Sequence, residues 1–171
     1  MRFRLLLTAL LLAATTPVFA APPATAPAGQ YAAEAREVTA YLQKTFWDDA
    51  RNLYVRDAKD RKLDYVWRQA AGFSVLVAAA RHDPQTYTPL LRKHFKAMDS
   101  YWDTKVKIPA YEPAPTKGNG NDKYYDDNAW LVITFLEAYQ LTNDRAFLTR
   151  ARDTANFVAS GWDDKQGGGI W

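Results

Sequence analysis

Two adjacent aspartates, Asp126 and Asp127, are the residues of this chain whose type and spacing best suit catalysis. They lie in the segment KYYDDNAW, between two tyrosines and a tryptophan, and a mostly apolar segment follows. Of two neighbouring carboxylates, one can stay ionised while the pKa of the other is raised by apolar rings and by the adjacent charge. A glycosidase needs this division between nucleophile and acid, and a retaining mechanism places the two groups roughly 5 Å apart.

Helix capping is the structural alternative for the same pair. An aspartate at the N-cap or in the first turn of a helix accepts hydrogen bonds from free N–H groups and complements the helix dipole. One aspartate is enough for capping, whereas a second adds repulsion. Capping and catalysis are compatible, and the residues alone leave open which aspartate takes which catalytic role.

The segments around the pair predict an all-α array of helical hairpins. Helices with one apolar stripe alternate with helices that are apolar nearly all round, which indicates outer and inner positions. The Trp-Asp pairs at Trp47, Trp102 and Trp162 recur 55 and 60 positions apart, and such self-similarity is typical of repeated hairpins. The predicted helices are 31–47, 65–81, 87–102, 127–141 and 145–162.

Loop lengths place the aspartate pair at one end of this array. The connections 82–86 and 142–144 are short, whereas 48–64 and 103–126 are long. Antiparallel hairpins bring all long loops to the end where the inner helices begin, and long loops on a rigid scaffold often carry the site. A closed toroid of the (α/α)6 type needs roughly 350 residues at this period, so we expect an incomplete domain. An offset of 60 residues between successive repeats places Trp67 at the position equivalent to that of Asp127.

The N-terminal residues predict export. Residues 1–20 have two arginines, a short apolar run and a small-residue site, as in a signal peptide cleaved after Ala20. We expect a disordered Pro/Ala-rich spacer at 21–30 and the toroid domain at 31–171. The protein is then periplasmic or secreted, with no membrane segment after cleavage, and we expect a monomer.

Composition argues against several other classes. Without residues 1–20 the chain has 20 basic and 19 acidic residues and no basic block, which disfavours a nucleic-acid partner. It contains no cysteine. Its two histidines, His82 and His94, lack the spacing of metal ligands and are interpreted as surface or turn residues, so we predict no metal and no cofactor.

The aromatic content suits either a core or stacking on sugars, because Trp and Tyr combine flat apolar faces with a polar edge. The chain has 6 Trp and 10 Tyr. In the GGGIW segment the glycines would let the backbone approach a ligand, although a flexible turn is the alternative. The predicted substrate-binding residues are Trp67, Gln69, Tyr124, Tyr125, Asn128, Trp130, Gly168, Gly169 and Trp171.

Three motifs together carry a family resemblance. YYDDNAW, the W-x-Q-A of Trp67–Ala70 and GGGIW resemble glycoside hydrolase family 76, the endo-α-1,6-mannanases, from about Tyr31 onward. The resemblance implies the N-terminal part of an (α/α)6 barrel that hydrolyses α-1,6-mannan with retention. It also implies that Asp126 is the nucleophile and Asp127 the general acid/base. The exact glycan and endo or exo action stay open.

Two other functions fit the same pattern. A glycan-binding toroid fragment would use the rim aromatics for stacking and the aspartate pair only for capping. Another (α/α) toroid sugar enzyme, such as an unsaturated glucuronyl hydrolase or an epimerase, would rely on a different residue set. Epimerases of this shape usually need histidines, and this chain has only two.

Overall fold

The computed structural model describes residues 28–116, 118, 120 and 122–170, which form successive helical hairpins. The predicted all-α class and the alternation of outer and inner helices are confirmed. The helices of this part of the chain are α1 Ala28–Phe46, α2 Val66–His82, α3 Pro84–Ala97, α4 Tyr125–Thr142 and α5 Arg145–Ala159.

Each Trp-Asp pair begins a small antiparallel hairpin, where the sequence had predicted only the end of a helix. Two paired residues per strand are too few to give an alternating pattern. The strand pairs are β1 Trp47–Asp48 with β2 Leu53–Tyr54, β3 Trp102–Asp103 with β4 Ala110–Tyr111, and β5 Trp162–Asp163 with β6 Gly169–Ile170. Short 3-10 turns lie at Met98–Tyr101 and Lys165–Gly167.

Helix α1 starts earlier than the sequence predicted. It begins at Ala28, inside the segment 21–30 assigned to a spacer, and Gln30 Nε2 donates a hydrogen bond to Glu34 Oε1 at 3.0 Å, one helical turn later. The predicted signal peptide and residues 21–27 lie outside the described residues. No helix in the described ranges is long and apolar enough to cross a membrane.

The core lies where the inner helices α2 and α4 meet the outer helices α3 and α5. Phe73 of α2 and Phe135 of α4 are fully buried, with ring centroids 5.1 Å apart. Phe147 of α5 lies 6.1 Å from Phe73 and completes an aromatic centre. The apolar surface of the inner helices therefore forms the core, although Ile133 of α4 remains 51% exposed on the far side.

Short connections keep each inner helix beside the next outer helix. Asp83 caps α3 by accepting from Thr86 N at 3.1 Å, and Asp144 caps α5 by accepting from Ala146 N at 3.1 Å. Helix α3 begins at Pro84, which is favoured in the first turn because proline lacks an N–H. The predicted start at 87 was therefore three residues late.

Replacing Gly72 by alanine should destabilise the fold by about 1–3 kcal/mol, because the added methyl group overpacks the core. A Cβ at Gly72 would lie 2.3 Å from the buried ring of Tyr54. Gly29→Ala is the matched control, since a Cβ there meets nothing within 4 Å. Urea denaturation of the two variants measures the difference, and equal midpoints would contradict this packing.

Candidate active site

The aspartate pair lies in the first turn of α4 but does not cap it. The N-cap is Tyr124, which makes no side-chain capping bond, and Asp126 and Asp127 occupy the second and third helical positions. Within the described part of the chain, neither carboxylate accepts a hydrogen bond. The aspartates that do cap helices, Asp83 and Asp144, stand one residue before theirs. Capping therefore does not explain the pair, although both charges complement the helix dipole.

Both aspartates line an open groove at the end of the molecule that carries the long loops. The groove has a volume of about 400 Å³. Trp67 and Tyr124 contribute rings that are 42% and 52% exposed, which leaves apolar faces available for stacking. The full lining is Tyr65, Trp67, Pro113, Tyr124, Asp126 and Asp127.

Tyr65 and Pro113 belong to this groove and were not predicted from the sequence. The repeat could have identified Tyr65, because it precedes α2 as Tyr124 precedes α4. Pro113 follows the second Trp-Asp hairpin, and its carbonyl oxygen accepts a hydrogen bond from Val66 N at 2.9 Å. That contact ties the loop after β4 to the start of α2, and no sequence pattern signals it.

A second groove, of about 580 Å³, lies on the other side of Asp126. It is lined by Lys123, Tyr124, Tyr125, Asp126, Ala129, Val158 and Ile170. Asp126 and Tyr124 therefore stand on the ridge between the two grooves, whereas Asp127 lines the first groove only.

The two carboxyl groups have different surroundings. Asp126 is exposed and Asp127 is half-buried. Burial, and secondarily the charge of Asp126, raises the pKa of Asp127 above its ordinary value. The direction of this shift is the one that a proton-donating carboxyl group requires.

Gln69 and Asn128 do not face a ligand, contrary to their prediction as substrate contacts. Both are fully buried and hold the hairpins in place. Gln69 Oε1 accepts from Tyr54 N at 2.9 Å, and its Nε2 donates to Tyr54 O at 2.7 Å. Asn128 Oδ1 accepts from Tyr111 N at 2.8 Å, and its Nδ2 donates to Tyr111 O at 3.0 Å.

These matching amides also correct the repeat register. Gln69 and Asn128 are 59 positions apart and each binds the last residue of a hairpin strand. The same offset aligns Trp67 with Asp126, not with Asp127 as the spacing of 60 predicted. The first repeat thus has an aromatic side chain where the second has the exposed aspartate.

The remaining predicted contacts have varied positions. Tyr125 lines the second groove, and its ring stacks on Phe157 with centroids 4.9 Å apart. Trp130 is 56% exposed but lines neither of the two grooves. Trp171 lies outside the described residues.

The glycine run has a structural function in the third hairpin, as the turn alternative proposed. Gly168 has φ 90°, and a Cβ there would lie 2.8 Å from Trp162 Cζ2. Gly169 pairs with Asp163 in the β5–β6 ladder. These glycines therefore shape the turn around the Trp162 ring, while Ile170 next to them lines the second groove.

The interpretation of His94 as a surface residue is wrong. Its side chain is fully buried, with Nε2 3.0 Å from Gln69 Oε1, and its ring packs edge-on against Trp47 and Tyr54. Burial lowers the pKa of His94 to about 3, so it is neutral. His82 is exposed at the end of α2. No group of three or more potential metal ligands was found among the described residues.

Comparison with protein families decides the relationship. The model of glycosyl hydrolase family 76 matches residues 30–171. The chain belongs to glycosyl hydrolase family 76. The resemblance noted in the sequence is thereby confirmed, whereas a search of curated protein sequences gave no significant match.

Solved structures of family 76 share the fold. A family 76 α-mannanase from Bacteroides thetaiotaomicron is 24% identical with a TM-score of 0.72, and the match covers 82% of this chain and 39% of the mannanase chain. A family 76 glycoside hydrolase from a bovine strain of that species is 26% identical with a TM-score of 0.70, and the match covers 80% of this chain and 31% of the hydrolase chain. The present chain thus spans less than half of these relatives and forms part of an (α/α)6 toroid.

A third family 76 structure contains a ligand. It is an inactive variant of the α-1,6-mannanase of Salegentibacter sp. HEL1_6, in which two consecutive aspartates are replaced by asparagine, in complex with α-1,6-mannotriose. That protein is 20% identical with a TM-score of 0.62, and the match covers 80% of this chain and 36% of the Salegentibacter chain. A sugar epimerase from a ruminal bacterium also shares the fold, at 15% identity and a TM-score of 0.61, over 84% of this chain and 39% of the epimerase chain.

Proposed function

We propose that the protein carrying this chain hydrolyses α-1,6-linked mannan with retention of anomeric configuration. The observation that carries the proposal is that two adjacent aspartates, neither of which caps α4, line an aromatic groove in a family 76 domain. The Salegentibacter enzyme supports it, because replacing two consecutive aspartates gave an inactive variant with mannotriose bound. Asp126 and Asp127 are the consecutive pair that the groove presents here.

The surroundings of the two carboxyl groups assign their roles within this proposal. Asp127 is the general acid, because burial and the charge of Asp126 raise its pKa, the direction that proton donation requires. Asp126 is the nucleophile, because it is exposed and lies on the ridge that both grooves share. A glycan chain that occupied both grooves would pass over Asp126, as cleavage within a polymer requires.

The reaction then has two steps. The Asp126 carboxylate attacks the anomeric carbon, the glycosidic C–O bond breaks, and the leaving oxygen takes the proton of Asp127. Asp127, now ionised, removes a proton from water, and the oxygen of that water attacks the anomeric carbon of the mannosyl ester. Asp126 leaves as a carboxylate, and the two inversions together retain the configuration.

The exposed aromatic rings supply sugar binding in this proposal. Trp67 and Tyr124 offer faces beside the aspartate pair, and Tyr65, 45% exposed, lines the same groove. Such rings stack on the apolar faces of sugars while their polar edges stay solvated. Export through the predicted signal peptide and action as a monomer belong to the same proposal.

The titration of Asp127 provides a test that does not depend on turnover. Its pKa should lie above the ordinary value of 3.8, because burial and the charge of Asp126 both disfavour ionisation. Asp126→Asn removes that charge and should lower the pKa of Asp127 toward the ordinary value without reaching it. Carboxyl-carbon NMR titration measures both values, and an Asp127 that titrates at or below 3.8 would contradict the assignment.

Hydrolysis by the full-length protein tests the function itself. We expect α-1,6-mannan to yield mannose or manno-oligosaccharides whose first-formed anomer, followed by proton NMR, is α. Appearance of the β anomer first would exclude retention. Binding of mannan oligosaccharides without any product would favour the glycan-binding alternative.

A further inference from the structure

We propose that Lys123 is a positioning residue for the aspartate pair. Its buried ammonium group, held by Asp103 and Glu112, fixes the end of the long loop that leads into α4 and so sets the placement of Asp126. This inference rests on the proposed function, since it concerns how that site is held in place.

Lys123 is buried in an ionic cluster just before the site. Its Nζ lies 2.8 Å from Asp103 Oδ2 and 3.9 Å from Glu112 Oε1. The lysine side chain is 8% exposed, and both carboxylate side chains are fully buried. Removing one member of a buried ion pair leaves an uncompensated charge, which is strongly unfavourable. The lysine is therefore held firmly where it stands.

The two carboxylates also hold the rest of the loop. Asp103 Oδ1 accepts from Lys105 N at 2.8 Å, and the hydroxyl of Thr116 donates to Glu112 Oε2. Gly118 has φ 74°, and a Cβ at this position would lie 2.7 Å from Asp103 Oδ1. One cluster thus fixes the start and the middle of the segment that ends at α4.

The other two Trp-Asp hairpins are built differently. Asp48 pairs with Arg51 at 2.7 Å and with Arg61 at 3.7 Å, and Asp163 pairs with Lys165 at 3.2 Å. These three cations are 38%, 40% and 84% exposed, respectively. Asp103 instead pairs with a buried lysine 20 positions away, immediately before an inner helix.

The repeat register shows where this arrangement occurs. By the offset of 59 residues, Lys123 corresponds to Asp64, which precedes α2. Asp64 carries the opposite charge, and its carbonyl oxygen accepts from the Tyr101 hydroxyl at 2.6 Å. Helix α2 has no acidic residue in its first turn, whereas α4 has both site aspartates there. The buried lysine therefore accompanies the carboxylate pair.

The loss of this anchor should affect the transition state more than substrate binding. Lys123 and Asp126 line the same groove, so movement of the lysine's segment displaces the nucleophile. A misplacement of about 1 Å can cost about 100-fold in rate, and such an effect appears mainly in kcat.

Three variants of the full-length protein test this inference. Lys123→Met should lower kcat on α-1,6-mannan by about 10- to 100-fold and change KM by less than about 3-fold. Lys123→Arg, which keeps the charge, should recover at least about a third of that loss on a logarithmic scale. Lys165→Met, which removes the exposed partner of Asp163, should leave kcat unchanged.

Amide hydrogen exchange supplies a readout independent of activity. In Lys123→Met, amides 128–131, which donate to the carbonyl groups of residues 124–127 at the start of α4, should exchange faster while those around Phe73 keep their protection. Asp103→Asn should act in the same direction, and it serves if the methionine variant fails to fold. Unchanged kcat with unchanged exchange, or equal loss of protection throughout the chain, would overturn the inference. A wild-type protein without mannanase activity would instead refute the proposed function. The exchange experiment would still test whether Lys123 fixes the start of α4.

Discussion

Replacing Asp126 or Asp127 by asparagine should lower the rate of α-1,6-mannan hydrolysis by at least about 10³-fold. Asparagine keeps the shape of the side chain but can neither form the mannosyl ester nor exchange a proton at neutral pH. The fold should tolerate both changes, because neither carboxylate accepts a hydrogen bond within the described residues and two adjacent charges are relieved of their repulsion. The measurement is initial rate by reducing-sugar release, with circular dichroism confirming the fold.

Asp49→Asn is the matched control. Asp49 also adjoins another aspartate, but its Oδ1 accepts from Trp47 Nε1 at 3.0 Å and it lies outside both grooves. Asparagine preserves that acceptor, so the rate should stay within about twofold of wild type. If both site variants retained the rate of the control, the catalytic assignment of the pair would be wrong.

Gln69→Leu should reduce the free energy of unfolding by about 3 kcal/mol or more, as measured by urea denaturation. The leucine would leave the N–H and C=O of Tyr54 buried without their partner, and each such group costs about 1–3 kcal/mol. His94 Nε2 would lose its only hydrogen-bond partner in the described structure. The hydroxyl group of Tyr101 would lose one of its two hydrogen bonds. The same change would only weaken sugar binding if Gln69 faced the substrate.

Gln85→Leu provides the reference for this measurement, since Gln85 is exposed on α3 and its replacement should change stability by less than about 0.5 kcal/mol. Equal stabilities of the two variants, combined with a raised KM for Gln69→Leu alone, would restore the original prediction of a substrate contact.

Much of the architecture could be predicted from the sequence because it depends on periodic burial. The all-round apolar character of the segments around Phe73 and Phe135 is a property of core helices, and both rings are fully buried. The recurring Trp-Asp pair marked the repeat because each tryptophan begins the same hairpin. The position of Asp126 and Asp127 at the groove followed from loop lengths alone.

The misassigned residues share a physical reason. Gln69 and Asn128 bind backbone groups of Tyr54 and Tyr111, residues 15 and 17 positions earlier, and a polar residue beside a predicted site resembles a ligand contact in sequence. The burial of His94 depends on aromatic rings from three separate segments. Contacts between distant segments leave no periodic signal, so only the folded arrangement reveals them.

The most direct test of the central claim is to trap the mannosyl ester on Asp126. In the full-length Asp127→Asn variant, α-mannosyl fluoride needs little acid assistance to react, whereas hydrolysis of the ester lacks its base. The proposed mechanism predicts a mass increase of one mannosyl residue on the tryptic peptide 124–145, which results from cleavage after Lys123 and after Arg145. Fragmentation of that peptide in the mass spectrometer should locate the mannosyl group on Asp126. A mannosyl group found on another residue, or fluoride release without any adduct, would contradict the assignment of Asp126 as the nucleophile.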